Sequence, residues 1–125
     1  MQTADMLDVI GGMIFQLKAY AAKLPPIVHL SAVPGGIKPT LEAIEDYESL
    51  VSRLRAHSAG TAYKSLNDPL IESLEAFEAG RLLGAVQSLL GLLDQMERMK
   101  RDQEIEVGRI DEKRIAEYQA ALHKI

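Results

Sequence analysis

Apolar residues recur at alternating steps of three and four along most of the chain, which is the spacing of amphipathic α-helices. The clearest run lies within residues 70–99, and a second run fills residues 7–21. The pattern predicts a single all-α domain, an antiparallel bundle of four to five helices with one long apolar Pro/Gly loop after the first helix. The predicted helices cover residues 4–23, 39–57, 69–79, 81–104 and 111–124.

Proline and aspartate residues mark several of the predicted helix boundaries. Pro25–Pro26 ends the first helix, because proline lacks the backbone N–H that continues a helix. Pro39 suits the first position of the second helix. Asp68–Pro69 predicts an N-cap followed by proline at the first helical position, and Asp111 can cap the last helix.

Two places leave the helix pattern ambiguous. Gly80 either ends a short helix in a left-handed conformation or lies inside one continuous helix. We favour a break, because glycine costs about 1 kcal/mol in a helix interior. Residues 97–114 form either an exposed continuous helix or a short connector near Gly108.

The segment 24–38 is unusually apolar for a connection, reading LPPIVHLSAVPGGIK. Connections of this length without their own structure are uncommon in compact domains. It either covers the bundle, which we favour, or docks to a partner. Its candidate contact residues are Ile27, Leu30 and Val33.

A row of small residues runs beside the main leucine stripe, formed by Ala76, Gly80, Gly84 and Ser88. Such a row lets another helix approach closely, and the neighbouring leucines cover most of the helix circumference. A closed bundle would also need these stripes internally, but their breadth favours contacts with other chains. The candidate interface consists of Gly80, Leu82, Gly84, Leu89, Leu90, Leu92, Leu93 and Met96.

Composition narrows the class of protein. The 125 residues are 47% hydrophobic and 26% charged, with a net charge of −4 and no cysteine. The negative charge argues against a nucleic-acid partner, and the charges in the run Met6–Ala22 argue against a membrane span. These features, together with an acidic N-terminus unlike a signal peptide, lead us to expect a cytoplasmic protein.

We find no constellation of residues that carries catalysis or binds a metal or cofactor. The three histidines, His29, His57 and His123, are far apart in sequence. Glutamates repeat every three residues at 42–48 and 72–78, which is typical of solvated helix faces. The basic residues between 98 and 114 alternate with acidic ones and favour an exposed helix over a phosphate-binding surface.

The sequence therefore favours a non-enzymatic helical interaction protein, such as an adaptor, an assembly factor or a small structural subunit. Its partners would be proteins or further copies of itself, in a homo-oligomer. One alternative is a small-ligand or regulatory module whose inter-helix cavity is roofed by residues 27–33. A second is a small helical enzyme that uses His57 or His29 with a carboxylate.

Overall fold

The computed structural model describes residues 3–22, 39–58 and 61–125, apart from the side chain of His57. It confirms an all-α bundle. The α-helices are α1 (Thr3–Ala22), α2 (Leu41–Ser58), α3 (Asn67–Glu78), α4 (Leu82–Arg101) and α5 (Arg109–His123). A short 3₁₀ turn (Ala62–Leu66), which the sequence pattern did not predict, precedes α3.

The five α-helices of the described residues form a closed ring. Each packs on its neighbours in chain order, and α5 also packs on α1. Cross-helix contacts show that α4 and α5 are antiparallel, since Lys100 pairs with Glu112 and Asp94 accepts from Gln119. The helices α1 and α5 are parallel, because Arg114 reaches Ala4 while Tyr118 lies beside Gly11.

The core lies along the inward faces of all five helices. Its members include Leu7, Leu17, Leu54, Leu89 and Leu122, each of them buried.

Phe77 is the aromatic centre of this core. Its ring stacks on Tyr47 at a centroid distance of 4.6 Å and meets Tyr20 edge-on at 5.8 Å. Burial of such aliphatic and aromatic side chains is the main stabilising term in a fold of this size.

Three of the predicted helix starts are wrong by two residues. The helix α2 begins at Leu41 rather than Pro39, because the Thr40 hydroxyl accepts a hydrogen bond from Ala43 N–H at 3.1 Å and so caps the helix.

Asp68 and Pro69 lie inside the first turn of α3, which begins at Asn67 directly after the 3₁₀ turn. Asp111 likewise lies in the first turn of α5, whose N-cap is Gly108.

The break at Gly80 is confirmed. Gly80 has φ 74°. Arg81 N–H donates to Ala76 O at 2.8 Å and Gly80 N–H donates to Phe77 O at 3.0 Å, the paired hydrogen bonds of a Schellman C-cap. The Tyr20 hydroxyl donates to Gly80 O at 3.2 Å and fixes the turn against α1.

The same cap ends α4 without a glycine. Gln103 has φ 62°, while Glu104 N–H donates to Met99 O at 2.8 Å and Gln103 N–H to Lys100 O at 3.0 Å. The predicted helix over 81–104 therefore stops at Arg101. Residues 102–108 form a connector, which resolves the second ambiguity of the sequence pattern in favour of a break.

A polar contact fixes the start of α1 to two other parts of the fold. The buried Thr3 hydroxyl donates to Glu106 O at 2.8 Å and lies 2.7 Å from the Tyr63 hydroxyl. It thereby joins α1 to the 102–108 connector and to the 3₁₀ turn.

Two expectations concern membranes and the apolar loop. No helix among the described residues combines the length and the hydropathy that crossing a membrane requires. The segment 24–38, with its candidate contacts Ile27, Leu30 and Val33, lies outside the described residues.

Candidate interaction surface

The leucines that we expected to form an interface are covered by the chain's own helices. Leu90 is half-buried and packs against the core, and Gly80 is buried. The remaining large side chains of the candidate interface are fully buried, namely Leu82, Leu89, Leu92, Leu93 and Met96. These five side chains therefore offer no apolar surface to a partner, because the chain's own helices cover them.

The row of small residues does permit close helix packing, but the neighbour is α3. A Cβ atom added to Gly84 would lie 3.3 Å from the Cβ of Ala76. Ser88 is turned back on its own helix and donates to Gly84 O at 3.0 Å. The glycine thus serves the α3–α4 hairpin rather than another chain.

Four large hydrophobic side chains remain exposed among the described residues. They are Phe15 at 67%, Leu41 at 72%, Leu83 at 36% and Ile110 at 78% exposed area. Leu41, Leu83 and Ile110 lie within the first two residues of α2, α4 and α5. Phe15 differs, because it is aromatic and lies in the middle of the long helix α1.

Phe15 lies on an outward strip of α1 that is bordered by two other helices. Gly11 and Gly12 lie one turn before it. A Cβ atom on Gly11 would come within 2.6 Å of the Tyr118 hydroxyl of α5, and one on Gly12 within 3.3 Å of Leu50 of α2. Because helical side chains lean towards the N-terminus, Phe15 projects over this glycine pair.

A polar cluster borders the strip on the α5 side. Arg114 donates to Asp8 Oδ1 at 2.5 Å, to Tyr118 Oη at 3.1 Å and to Ala4 O at 3.3 Å. The hydrogen bond to Tyr118, assisted by the charge of Asp8, raises the pKa of Arg114. The Asp8 side chain nevertheless stays 69% exposed, so it can accept a further donor.

We refer to the strip formed by Ala4, Asp8, Gly11, Phe15, Lys18 and Ala22 as the α1 outer face. The main apolar pattern of the sequence does not mark it. The sequence does contain a sign of it, because its residues are spaced alternately four and three apart. These positions lie one residue after the buried stripe of Leu7, Ile10, Ile14 and Leu17.

Searches against protein-family models, curated proteins and solved structures returned no match.

The open grooves between helices are weaker candidates for a binding site than the α1 outer face. One of about 520 Å³ separates α4 from α5, and across it Lys100 forms an ion pair with Glu112. Its charged lining groups therefore face each other. The described residues bring no three potential metal ligands together.

Both histidine side chains of the enzyme alternative lie outside the described parts of the chain. His123 is exposed at the end of α5. His29 and the side chain of His57 are not among the described parts of the chain. The pairing of either with a carboxylate remains a prediction.

Proposed function

We propose that this chain is a non-enzymatic helical interaction protein whose contact surface is the α1 outer face. The observation that carries the proposal is Phe15, which is 67% exposed in the middle of a helix whose other large apolar residues are buried. Burying an aromatic side chain of this kind contributes about 1.5–3 kcal/mol. That makes Phe15 a suitable anchor for a protein contact.

The surroundings of Phe15 also suit a partner helix. The space at Gly11 and Gly12 is filled by Tyr118 and Leu50 of this chain, so the surface beside Phe15 is formed by these two side chains. Leu50, which is half-buried, supplies an apolar border on the α2 side, and the Tyr118 hydroxyl with Arg114 supplies a polar border on the α5 side. Asp8 and Lys18 add exposed charges that can orient the partner.

The scaffold holds this surface in a fixed position. The helix α1 packs on α2, α4 and α5. The hydrogen bonds of Thr3 and of Tyr20 tie it near both ends. An adaptor, an assembly factor or a small structural subunit needs a presented surface of this sort.

Site-specific photo-crosslinking tests the proposal. A benzophenone amino acid replaces Phe15 in cells that express the chain natively, and the same amino acid replaces Ile110 in the control. Both positions are exposed, at 67% and 78%, so neither replacement disturbs the core. Adducts are separated by mass and their protein components are identified.

We expect covalent protein adducts from position 15, reduced at least fivefold when Lys18→Glu is added, and none of the same mass from position 110. Equal adduct patterns at the two positions would overturn the proposal. So would adducts at position 15 that persist unchanged with Lys18→Glu.

A further inference from the structure

The helix α5 contributes few side chains to the core. Of its 15 residues only Ile115 and Leu122 are buried, whereas nine of the 20 residues of α1 and eight of the 20 residues of α4 are. Tyr118 and Ala121 add partly buried contacts. A groove of about 520 Å³ lies between the first turns of α5 and α4. Apolar burial therefore holds α5 less firmly than it holds the two helices on which α5 packs.

Ion pairs at the surface add further contacts to α5. On one side Glu112 pairs with Lys100 of α4, and on the other side Arg114 pairs with Asp8 of α1. The side chains of Glu112 and Asp8 keep 51% and 69% of their area exposed. Ion pairs of this kind contribute little to stability, and salt weakens them.

The other four α-helices contact one another without the help of α5. The helix α1 packs directly on α2 and on α4, while α3 packs on both α2 and α4. These four helices therefore form a ring of their own, to which α5 is added by its contacts with α1 and α4. Detachment of α5 leaves every contact within that ring in place.

The connector offers a pivot directly before α5. Its middle is fixed, because Ile105 is buried and Glu106 O accepts a hydrogen bond from the Thr3 hydroxyl. Gly108 follows, exposed to solvent, and a Cβ atom added there would meet no atom of a non-neighbouring residue within 4 Å. It precedes α5 without a side-chain capping hydrogen bond. Rotation about Gly108 therefore moves α5 and leaves the anchored part of the connector undisturbed.

We infer that α5 is a hinged helix that opens as a unit about Gly108 while α1, α2, α3 and α4 stay folded. On opening, Tyr118 leaves the space beside Gly11 that it fills when α5 is docked. The docked helix therefore restricts the α1 outer face on this side, and its release enlarges that face. This consequence rests on the proposed function, whereas the opening itself does not.

Photo-crosslinking at position 15 and the measurements that follow separate the two claims. Failure of the crosslinking would remove the proposed function, and with it the consequence for the α1 outer face. Failure of the measurements below would remove the hinge and leave the proposed function in place.

Hydrogen exchange of the full wild-type chain measures the opening at each amide. We expect the slowest amides of residues 113–122 to share one protection factor, at least tenfold below that of the slowest amides of α1 and α4. Low urea concentrations should reduce this shared protection first, because unit opening exposes surface. Protection equal to that of α4 would overturn the inference. A graded decline along α5 would do so as well, because it indicates fraying of the helix end.

A covalent bridge between α4 and α5 tests the same opening by preventing it. Gln119 of α5 donates to Asp94 of α4 at 3.1 Å, and the chain contains no cysteine. Asp94→Cys combined with Gln119→Cys can therefore be joined by a short bismaleimide. The control is the same double variant with both thiols capped by N-ethylmaleimide.

The bridge should raise the protection of α5 at least tenfold over the capped control and leave α3 unchanged. An unchanged α5, or an equal rise in every helix, would show that α5 opens only when the whole fold does.

Removal of one ion pair should favour the open form. Arg114→Gln weakens the contact with Asp8, so we expect the protection of α5 to fall at least threefold while that of α3 stays the same. Lys113→Gln is the matched control, because Lys113 is exposed on the same turn of α5. Equal effects of the two variants on α5, or an equal loss in α3 and α5, would contradict the hinge.

Discussion

The buried hydroxyl of Tyr47 is the clearest unfavourable feature at the residue scale. No hydrogen bond to it is formed within the described residues, because the nearby Ser73 hydroxyl donates to Leu70 O at 2.7 Å. Its ring stacks on Phe77 at 4.6 Å. A buried polar group without a partner carries a desolvation cost of about 1–3 kcal/mol. The aromatic contact must offset that cost for the tyrosine to be tolerated here.

Tyr47→Phe keeps the ring stack and removes the unpaired oxygen. We therefore expect the free energy of unfolding at neutral pH to stay unchanged or to rise by about 1 kcal/mol. Urea unfolding followed by circular dichroism measures it. Tyr47→Leu, which loses the stack as well, is the control and should destabilise by about 1–3 kcal/mol.

Tyr47→Phe also tests how the free energy of unfolding depends on pH. Burial raises the pKa of Tyr47, and its interaction with Ser73 lowers it only partly. Above about pH 10 the unfolded chain ionises this tyrosine while the folded chain does not, so stability falls as pH rises, by up to about 1.4 kcal/mol per pH unit. Tyr47→Phe should show a shallower fall, and an identical slope would contradict the assignment.

Gln103 and Gly80 provide a matched pair of helix caps. Both adopt positive φ, but a side chain there costs about 1–2 kcal/mol that glycine avoids. We expect Gln103→Gly to raise the free energy of unfolding by about 0.5–1 kcal/mol and Gly80→Ala to lower it by about 1–2 kcal/mol. Chemical denaturation measures both, and a loss of stability in Gln103→Gly would contradict the cap assignment.

Close packing of α3 on α4 is the main contact at the element scale. It depends on Gly84, where an added Cβ would lie 3.3 Å from Ala76. Gly91, on the same helix, has nothing within 4 Å of such an atom. The two glycines therefore have opposite roles, one in packing and the other only in weakening the helix.

Gly84→Leu should destabilise the fold by about 1–3 kcal/mol, because the larger side chain separates α3 from α4. Gly91→Ala should stabilise it by about 0.5–1 kcal/mol, because alanine is a better helix former and meets no neighbour. Thermal unfolding compares the two variants. Equal effects would show that the α3–α4 contact is looser than described.

The elements themselves followed from the apolar pattern, since each helix must bury one face. Their exact ends did not, because caps depend on side chains with several possible roles. Thr40 caps α2 although Pro39 offers the stronger sequence signal. Gln103 adopts a conformation that sequence alone would assign to glycine or asparagine.

At the scale of the whole molecule, closure of the helix ring determines which apolar side chains stay exposed to solvent. The helix α5 packs on α1 as well as on α4, and the five helices together cover Leu92 and Leu93 completely. Periodicity shows that a face is apolar, but it does not show whether the chain or a partner covers it. For that reason the pattern did not show that the chain's own helices cover most of the leucines expected to form an interface on α4, and Phe15 is distinguished only by its exposure.

The most direct measurement is sedimentation equilibrium of the full chain as wild type, Phe15→Ala and Ile110→Ala over a concentration series reaching about 1 mM. Both substitutions remove a similarly exposed apolar side chain. If copies of the chain associate through the α1 outer face, the wild type and Ile110→Ala should associate with the same dissociation constant, and Phe15→Ala at least fivefold more weakly. Three identical association curves would contradict the account, and a wild type that stays monomeric would leave the photo-crosslinking at position 15 to decide it.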